Sequence, residues 1–397
     1  MKKVISFILA TVLTVSFFTP AFAFEKADTL RFNDDGKFKI MIFSDIHEGG
    51  TGGGEACLKI MNEAIDKCNP DLVVYLGDNS IADSLEEHRE IISRITEPVR
   101  KRNIPFASVF GNHDAQSENV TKEALLEIYR EFGCLSYDGG DNLYGCGNFN
   151  LPVLSSSSDD VKFNLWFFDS GSDNPDKEVG GYDYIREDQI EWYKNTALLL
   201  KEQSDGEAVP ALAFQHIAVP EIYDKMFTEL PLPVGEGTLN GYNGKVYSRV
   251  PKFSGYEGIA FEQIGSPYCR TQQLPTMREV GDVMAVFSGH DHVNSFRVDL
   301  DGIDWVSVPT VHNKNYSNDC LRGAGLITLD EKNAKSYEYT VVRACDLVFE
   351  KDSHITDAGD STGKFVYAIS KAFADILLFV QKIFNGVRDC FNGKTVL

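Results

Sequence analysis

The stretch Phe38-Lys-Ile-Met-Ile-Phe-Ser-Asp-Ile-His47 sets an apolar run directly before an aspartate and a histidine. An apolar run of this kind is typical of a strand that is covered on both faces, as in a parallel sheet. Four later runs are also followed by polar residues. The five runs cover residues 38–43, 72–76, 105–110, 211–214 and 283–287. The chain is therefore predicted to contain buried strands whose carboxyl ends carry polar side chains.

Segments with helical periodicity lie between the first three runs and just after the third, at residues 55–68, 84–102 and 122–132. Strands that alternate with helices predict βαβ units and an α/β fold. The polar residues then lie on loops at one edge of the sheet, where open α/β sheets place their sites. Short runs at 304–308, 324–328 and 336–342 predict further strands of a second sheet. With 397 residues and 43% hydrophobic content, the chain can form one large domain.

Five polar islands follow the five runs, and they hold five of the eight histidines. Imidazoles, carboxylates and an amide oxygen are ligands that Zn, Mn and Fe accept, and a carboxylate can bridge two ions. Each histidine alone is best interpreted as a hydrogen-bonded core or loop residue, but their joint occurrence favours a metal site. The islands are Asp45-Ile-His47, Gly77-Asp78-Asn79, Gly111-Asn112-His113-Asp114, Gln215-His216 and Gly289-His290-Asp291-His292.

The ordered islands D-x-H, GD, GNHD, H and GHxH resemble the signature of the calcineurin-like metallophosphoesterase superfamily. The surrounding sequence, including GNFN at 147–150 and GYDYI at 181–185, is similar to its purple-acid-phosphatase-related branch of single-domain phosphatases. The similarity runs from about residue 30 to about residue 343. It implies an α/β fold of the metallophosphoesterase type, a four-layer α/β/β/α sandwich, and a metal-dependent phosphoric ester hydrolase.

The resemblance further implies a dinuclear centre that holds two divalent or trivalent transition-metal ions. Asp78 would bridge ions roughly 3.5–4 Å apart, and a hydroxide that they activate would attack a phosphate monoester in line. The first ion would be held by Asp45, His47, Asp78 and His292, and the second by Asp78, Asn112, His216 and His290.

His113 and Asp114 are the candidate catalytic residues that remain in the third island. His113 is not needed as a ligand, so it is predicted to donate a proton to the leaving alkoxide or to stabilise the transition state. Asp114 has two interpretations. It accepts a hydrogen bond from the His113 ring and fixes its tautomer, or it is a turn-stabilising aspartate.

Position 81 departs from the purple acid phosphatase pattern. Those enzymes have a tyrosine ligand three residues after the bridging aspartate, whereas this chain has Ile81. No tyrosinate colour is therefore expected. The metal pair stays open among Mn, Fe and Zn, because nitrogen and oxygen ligands discriminate poorly among them.

Three histidines lie outside the islands. His88, in the charged segment Leu-Glu-Glu-His-Arg-Glu, and His354, in a polar linker, are predicted to be solvated. His312 follows a predicted strand, and it either lines the pocket or is an ordinary strand-end histidine.

The N-terminus has the order of a secretory signal peptide. Lys2 and Lys3 precede an apolar run at 4–18 and the cleavage-type sequence Ala21-Phe22-Ala23. Residues 1–23 are predicted to be removed, which would leave a metallophosphoesterase domain at 24–351. The mature protein is expected to be secreted or held in the cell envelope, in an extracellular or periplasmic compartment.

Export permits disulfides among the eight cysteines, and the best candidate pair is Cys134 with Cys146, which bracket a predicted turn. The net charge of −21 disfavours nucleic acid and anionic lipid as partners of the protein. The expected partner is a small phosphate-ester substrate.

The sequence allows more than one interpretation of two regions. The Gly-, Pro- and aromatic-rich stretch 220–280 is either a functional lid or a set of small strands, and it is expected to set specificity. The family resemblance further implies that Asn148 and residues 182–184 lie near the pocket rim. After a linker at 352–363, residues up to 397 predict an amphipathic helix that makes a peripheral membrane contact, contacts a partner or docks on its own domain.

Three functions are consistent with these patterns. The leading one is an exported dinuclear-metal phosphatase of monoesters, and the nearest rival is a phosphodiesterase or nucleotide hydrolase on the same scaffold. The third is a noncatalytic wall- or partner-binding protein that retains the fold.

Overall fold

The computed structural model describes residues 29–348, except 50–53, 141, 234–237, 253, 313–316 and 318–320, together with residues 372, 375–376 and 378–383. The predicted signal segment 1–23 and the linker 352–363 with His354 lie outside these residues. Among the described helices, none combines the length and apolar character that a bilayer crossing requires.

The described chain alternates strands with helices over most of its length. The strands are β1 Leu30–Arg31, β2 Lys37–Phe43, β3 Leu72–Leu76, β4 Phe106–Val109, β5 Phe149–Leu154, β6 Val161–Phe167, β7 Ala211–Phe214, β8 Glu229–Leu230, β9 Thr238–Asn240, β10 Val246–Ser248, β11 Tyr256–Ala260, β12 Val283–Ser288, β13 Asn294–Asp299, β14 Asp304–Ser307, β15 Gly323–Asp330 and β16 Tyr337–Arg343. The α-helices are α1 Gly54–Cys68, α2 Leu85–Arg100, α3 Lys122–Glu131, α4 Glu187–Gln203, α5 Glu221–Met226, α6 Gln273–Val280 and α7 Ala344–Val348.

Two large sheets form the centre of the molecule. Eight strands pair in the order β1-β5-β6-β7-β12-β14-β13-β11, and five pair in the order β16-β15-β2-β3-β4. The strands that lead into the islands run parallel to their neighbours, β2 with β3 and β3 with β4 in the smaller sheet, and β7 with β12 in the larger one. Every residue of β3, β4 and β7 is buried, which is why these strands are apolar without alternation.

The side chains of the sheets divide among three cores, which define four layers. One core lies between the sheets, where Ile40 and Val74 of the smaller sheet meet Phe214 and Phe287 of the larger. A second packs the other face of the smaller sheet against α1, α2 and α3. The third packs the outer face of the larger sheet against α4 and α6. The chain therefore has the predicted α/β/β/α sandwich.

His88 is buried, so the prediction of a solvated side chain was wrong. Its side chain is 1% exposed, and its Nδ1 lies 2.6 Å from the Ser80 hydroxyl. His88 precedes Ile91, Ile92 and Ile95 by three, four and seven residues, which places it on the apolar face of α2. The charged neighbours in sequence lie on other faces of this helix.

The proposed pairing of Cys134 with Cys146 was also wrong, because both are free thiols in the structure. Cys134 donates to the Ser136 hydroxyl at 3.3 Å, and burial raises its pKa to about 11. Both cysteines pack in the helix-covered core of the smaller sheet. They serve there as small apolar side chains.

The stretch 220–280 forms small strands, the second of the two interpretations. The strands β8, β10 and β9 pair into a three-stranded sheet, and β11 joins the edge of the eight-stranded sheet. The carboxylate of Asp224 holds this region together. It accepts from the hydroxyls of Tyr242 at 2.6 Å and Tyr247 at 2.7 Å and pairs with Lys245 at 3.3 Å and with Arg270.

Asp224 gives this region a predicted dependence on pH. Burial acts to raise its pKa, but the two tyrosine hydrogen bonds and the charges of Arg270 and Lys245 outweigh burial and lower the pKa to about 2. An unfolded aspartate has a pKa of about 3.9, so the ionised form stabilises the fold above that pH, and its contribution is lost as the pH falls toward 2. We expect Asp224→Asn to lower the melting temperature at pH 7, and the gap from the wild type to narrow below about pH 4.

Thermal unfolding followed by circular dichroism at several pH values checks this expectation. Glu207→Gln is the matched control, because Glu207 is an exposed carboxylate. A gap that stays constant down to pH 2 would show that the charge of Asp224 is not involved.

Candidate metal centre

The five islands meet at the carboxyl ends of β2, β3, β4, β7 and β12. The first three strands belong to the smaller sheet and the last two to the larger one. The site therefore spans the junction between the two sheets. The ordering of strands explains how residues 45 and 292, far apart in sequence, come into contact: His292 Nε2 lies 3.6 Å from Asp45 Oδ1.

Six side chains form two groups of three with the spacing of metal ligands. Within each group, the ligand atoms lie within 4.8 Å of one another. Asp78 lies between the groups, because its Oδ2 is 3.2 Å from His216 Nε2 and 3.7 Å from His47 Nε2. The groups are Asp45, His47 and His292, and Asp78, His216 and His290. The arrangement suits two ions with a shared carboxylate.

Several of the ligand-type atoms have no hydrogen-bond partner in the part of the chain that the structure describes. Buried polar atoms are nearly always hydrogen-bonded, and leaving one without a partner costs about 1–3 kcal/mol. Several acceptor-type atoms of the site are nevertheless buried with no hydrogen-bond partner among the described residues. They are Asp45 Oδ1, His47 Nε2, Asn112 Oδ1, His216 Nε2 and His290 Nδ1. This donor set fits bound metal ions.

In three of the ligand-type side chains, His216, Asp45 and Asp78, the second polar atom is engaged in a hydrogen bond with the surrounding protein. The Nδ1 of His216 lies 2.8 Å from the Leu76 carbonyl, to which it donates, and this bond leaves Nε2 free as a ligand. Asp45 Oδ2 accepts from the His290 amide at 3.0 Å and from the Ser44 hydroxyl. Asp78 Oδ1 accepts from the His113 amide at 2.7 Å. Each carboxylate thus keeps one oxygen for the metals.

Asp114 makes structural contacts, which correspond to the turn-stabilising interpretation. Its Oδ2 accepts from the amides of Asp78 and Gly111, both at 2.8 Å, and its Oδ1 accepts from Asn79 at 2.9 Å and Ser80 at 3.1 Å. Both oxygens are engaged with backbone, so the contacts give no support to a role in fixing the His113 ring. We therefore correct its assignment from catalytic to positioning.

Glycine is required in the islands because the backbone of one loop touches the ligands of another. A Cβ on Gly111 would lie 2.2 Å from Asp78 Oδ1, and a Cβ on Gly289 would lie 1.9 Å from the Ser44 hydroxyl. The ligands themselves carry unusual backbone angles, since Asp45, Asp78 and His290 have φ values of 53°, 51° and 74°. Such left-handed conformations of non-glycine residues cluster at functional sites.

The protonation states of the buried groups in the site favour the binding of cations. Burial acts to raise the pKa values of Asp45 and Asp78, but the positive charge of His216 outweighs burial and lowers both. Burial acts to lower the pKa of His216, but Asp78 and Asp45 raise it to about 10. Burial lowers the pKa of His47 to about 4 and that of His290 to about 3. The carboxylates of Asp45 and Asp78 and the neutral rings of His47 and His290 are thus in the forms that bind cations. Burial acts to lower the pKa of His292, but the same two carboxylates raise it, as they raise that of His216.

His113 differs from the ligands by its exposure. Its side chain is 36% exposed, against 10% for His47 and 0% for His216, and its Nε2 lies 4.0 Å from Asp78 Oδ2. It therefore stands at the mouth of the centre. Tyr182 also lies there, with its ring centroid 4.3 Å from that of His290 in an edge-to-face arrangement.

The sequence left the position of His312 open between two interpretations, and the resemblance placed Asn148 near the pocket rim. His312 is buried beside the centre, with its ring 5.3 Å from that of His47 and 5.8 Å from that of His292. Asn148 is buried rather than at a rim, and its side-chain oxygen accepts from the Asp169 amide at 3.0 Å. In the sequence, the only indication that His312 lies beside the centre was its position after the predicted strand at 304–308.

The family profile described as Calcineurin-like phosphoesterase matches residues 38–294. The chain belongs to this family. The calcineurin-like phosphoesterase resembles a "probable inactive purple acid phosphatase 28" of Arabidopsis thaliana, with 28% identity over 69% of this chain and 70% of that protein. It is 29% identical to "Phosphatase DCR2" of Saccharomyces cerevisiae over 68% of this chain and 46% of that protein.

A solved structure of a dimetal phosphatase from Danio rerio is also similar, with 13% identity, a TM-score of 0.46, and coverage of 77% of this chain and 98% of that one. The family and the two ligand groups together support a dinuclear metal centre in a phosphoesterase.

The tight packing of Gly111 yields a test of the centre. Because a Cβ there would displace the carboxylate of Asp78, we expect Gly111→Ala to weaken metal binding by about 10- to 100-fold, as loss of a supporting contact does in other metal sites. Metal content after gel filtration, measured by mass spectrometry, reports the change.

Gly206→Ala is the control, since Gly206 has a φ of 81° but no heavy atom within 4 Å of an added Cβ. It should cost about 1–2 kcal/mol in backbone strain and leave metal content unchanged. Retention of wild-type metal affinity by Gly111→Ala would contradict the assigned contact.

Proposed function

We propose that this calcineurin-like phosphoesterase is an exported two-metal phosphatase that hydrolyses phosphate monoesters. The observation that carries the proposal is the exposure of His113 beside a ligand set that is otherwise buried. A histidine that held the fold or a metal would be enclosed like its neighbours. An imidazole at the mouth is placed to contact a substrate. Export is supported by the signal-type sequence at 1–23.

The ligands would be Asp45, His47, Asp78 and His292 for one ion, and Asp78, Asn112, His216 and His290 for the other. Bound there, two Mn, Fe or Zn ions would supply Lewis acidity and a water of lowered pKa. The protein's own residues hold this set rigidly. Asp78 is fixed by the His113 amide, and His216 is fixed by the Leu76 carbonyl.

His113 would act on the phosphate ester directly. An imidazolium at the mouth can donate a hydrogen bond to a phosphoryl oxygen, and it can give its Nε2 proton to the departing alkoxide. Its backbone amide is bound to Asp78, so the ring and the bridging carboxylate keep a fixed relation. Tyr182, against His290, would form one wall of the substrate pocket.

Two rival functions use the same geometry. A phosphodiesterase or nucleotide hydrolase would need the same ligands, because the metal core does not choose between mono- and diesters. A noncatalytic binding protein is suggested by the name "probable inactive" of the Arabidopsis relative. The unpartnered ligand atoms favour metal retention, and His113 favours catalysis. Hydrolysis of p-nitrophenyl phosphate would indicate the phosphatase, and hydrolysis of its bis-ester would indicate the phosphodiesterase or nucleotide hydrolase. Hydrolysis of neither would indicate the noncatalytic binding protein.

The His113→Ala variant tests the catalytic role. We expect two metals per chain, as in the wild type, and a kcat lower by about 10²- to 10⁴-fold, the usual contribution of a positioned acid. Metal analysis and p-nitrophenyl phosphate kinetics measure the two effects. His354→Ala, in the predicted linker, is the control. An unchanged kcat in His113→Ala would exclude His113 as the acid.

The Asp78→Asn variant tests whether Asp78 binds both metals. The amide cannot bridge two cations, so we expect both metals to bind more weakly and activity to fall with metal content. Loss of activity with both metals retained would assign Asp78 a role in chemistry in place of ligation.

A further inference from the structure

Residues 372, 375–376 and 378–383 form a helix, which we call the tail helix, and it docks on the domain itself. Asp375 pairs with Arg343 at the end of β16 at 3.1 Å, and Gln381 Oε1 accepts from the Gly258 amide of β11 at 3.1 Å. Leu378 packs against Ile259 and Leu321. The described residues of the helix thus lie across one edge strand from each large sheet.

The outward side of the tail helix is apolar. Ile376, Phe379 and Ile383 are 60%, 66% and 50% exposed, and Ala372 is exposed as well. Their spacing of four, three and four residues puts them on a single face. A docked surface helix normally turns its polar side to water, whereas four described residues of this helix expose apolar side chains there.

This apolar face continues onto the domain. Val380 of the tail helix lines one depression with Val250 and Phe261. Val250 is 68% exposed and Phe261 is 50% exposed. Exposed apolar surface that extends over two parts of a fold marks an interaction site more strongly than scattered residues do. We call this surface, Ile376, Phe379, Ile383, Val250 and Phe261, the tail patch.

Charge indicates which partner the tail patch fits. Residues 364–397 contain five lysines or arginines and two aspartates, a net charge of +3, whereas the whole chain carries −21. Lys382, exposed beside Ile383, belongs to this basic segment. A second copy of the chain would bring two acidic bodies and two basic tails together. An anionic lipid surface would meet apolar side chains flanked by positive charge.

We propose that the tail patch attaches the protein peripherally to an anionic bilayer surface. Ile376, Phe379 and Ile383 enter the interface between headgroups and acyl chains, while the exposed Lys382 contacts the headgroups. Membrane contact is made by the opposite side of the helix from Leu378 and Gln381, so the docked fold needs no opening. The attachment is independent of hydrolysis.

Flotation with lipid vesicles tests the proposal. The chain from Phe24 onward, its predicted mature form, avoids lipid binding by the apolar leader. We expect it to float with vesicles of 3:1 phosphatidylcholine and phosphatidylglycerol, and less with phosphatidylcholine alone. The variant Ile376→Gln/Phe379→Gln/Ile383→Gln should bind at least about tenfold more weakly at an unchanged melting temperature, since it removes only exposed apolar surface.

The matched control is Leu198→Gln/Leu199→Gln, which replaces leucines of α4 that are 43% and 57% exposed. This variant should bind vesicles like the wild type. Equal binding by the triple variant and the wild type, equal binding to both lipid mixtures, or no binding to either would overturn the proposal. Sedimentation equilibrium adds a further outcome, because a wild-type dimer that the triple variant dissociates, without vesicle binding, would assign the patch to a second copy.

Discussion

Four backbone amides donate to the single carboxylate of Asp114, and this interaction ties the loop after β3 to the loop after β4. Through it, the left-handed backbone of Asp78 is fixed next to Gly111, whose missing side chain leaves room for the carboxylate. Asp78 in turn lies within reach of both ligand groups. The geometry of the centre therefore depends on a residue that does not belong to either ligand group.

The centre is costly for the metal-free protein. Five buried ligand-type atoms have no hydrogen-bond partner among the residues that the structure describes, and several ligand-type residues hold left-handed backbone angles. Bound cations would satisfy those atoms, so metal binding and folding stability are linked. Because the candidate ligands come from both large sheets, this stabilisation would act between the sheets, in addition to the apolar contacts of the central core and to hydrogen bonds such as that from His216 to the Leu76 carbonyl.

Much of this arrangement was predictable because it follows from local chemistry. Residues 72–76 and 211–214 are apolar throughout since both faces of β3 and β7 are covered, and the observed strands have those bounds. The ligand residues follow directly, and aspartate and histidine have few other reasons to end such strands together. His88 was misassigned because its immediate neighbours are charged, although its phase relative to Ile91 and Ile95 placed it in the core. The contacts of Asp114 and the free thiol of Cys134 depend on distances between separate loops, which no spacing encodes.

The position of the tail helix has a consequence for solubility. An edge strand presents unpaired amides and carbonyls to which a strand of another molecule can add, and long flat edges invite aggregation. Here the Gly258 amide of the edge strand β11 is bound by Gln381, and Arg343 at the end of the edge strand β16 is bound by Asp375. The tail helix thus lies over one edge strand of each large sheet, and its contacts there would hinder the addition of a strand from a neighbouring molecule.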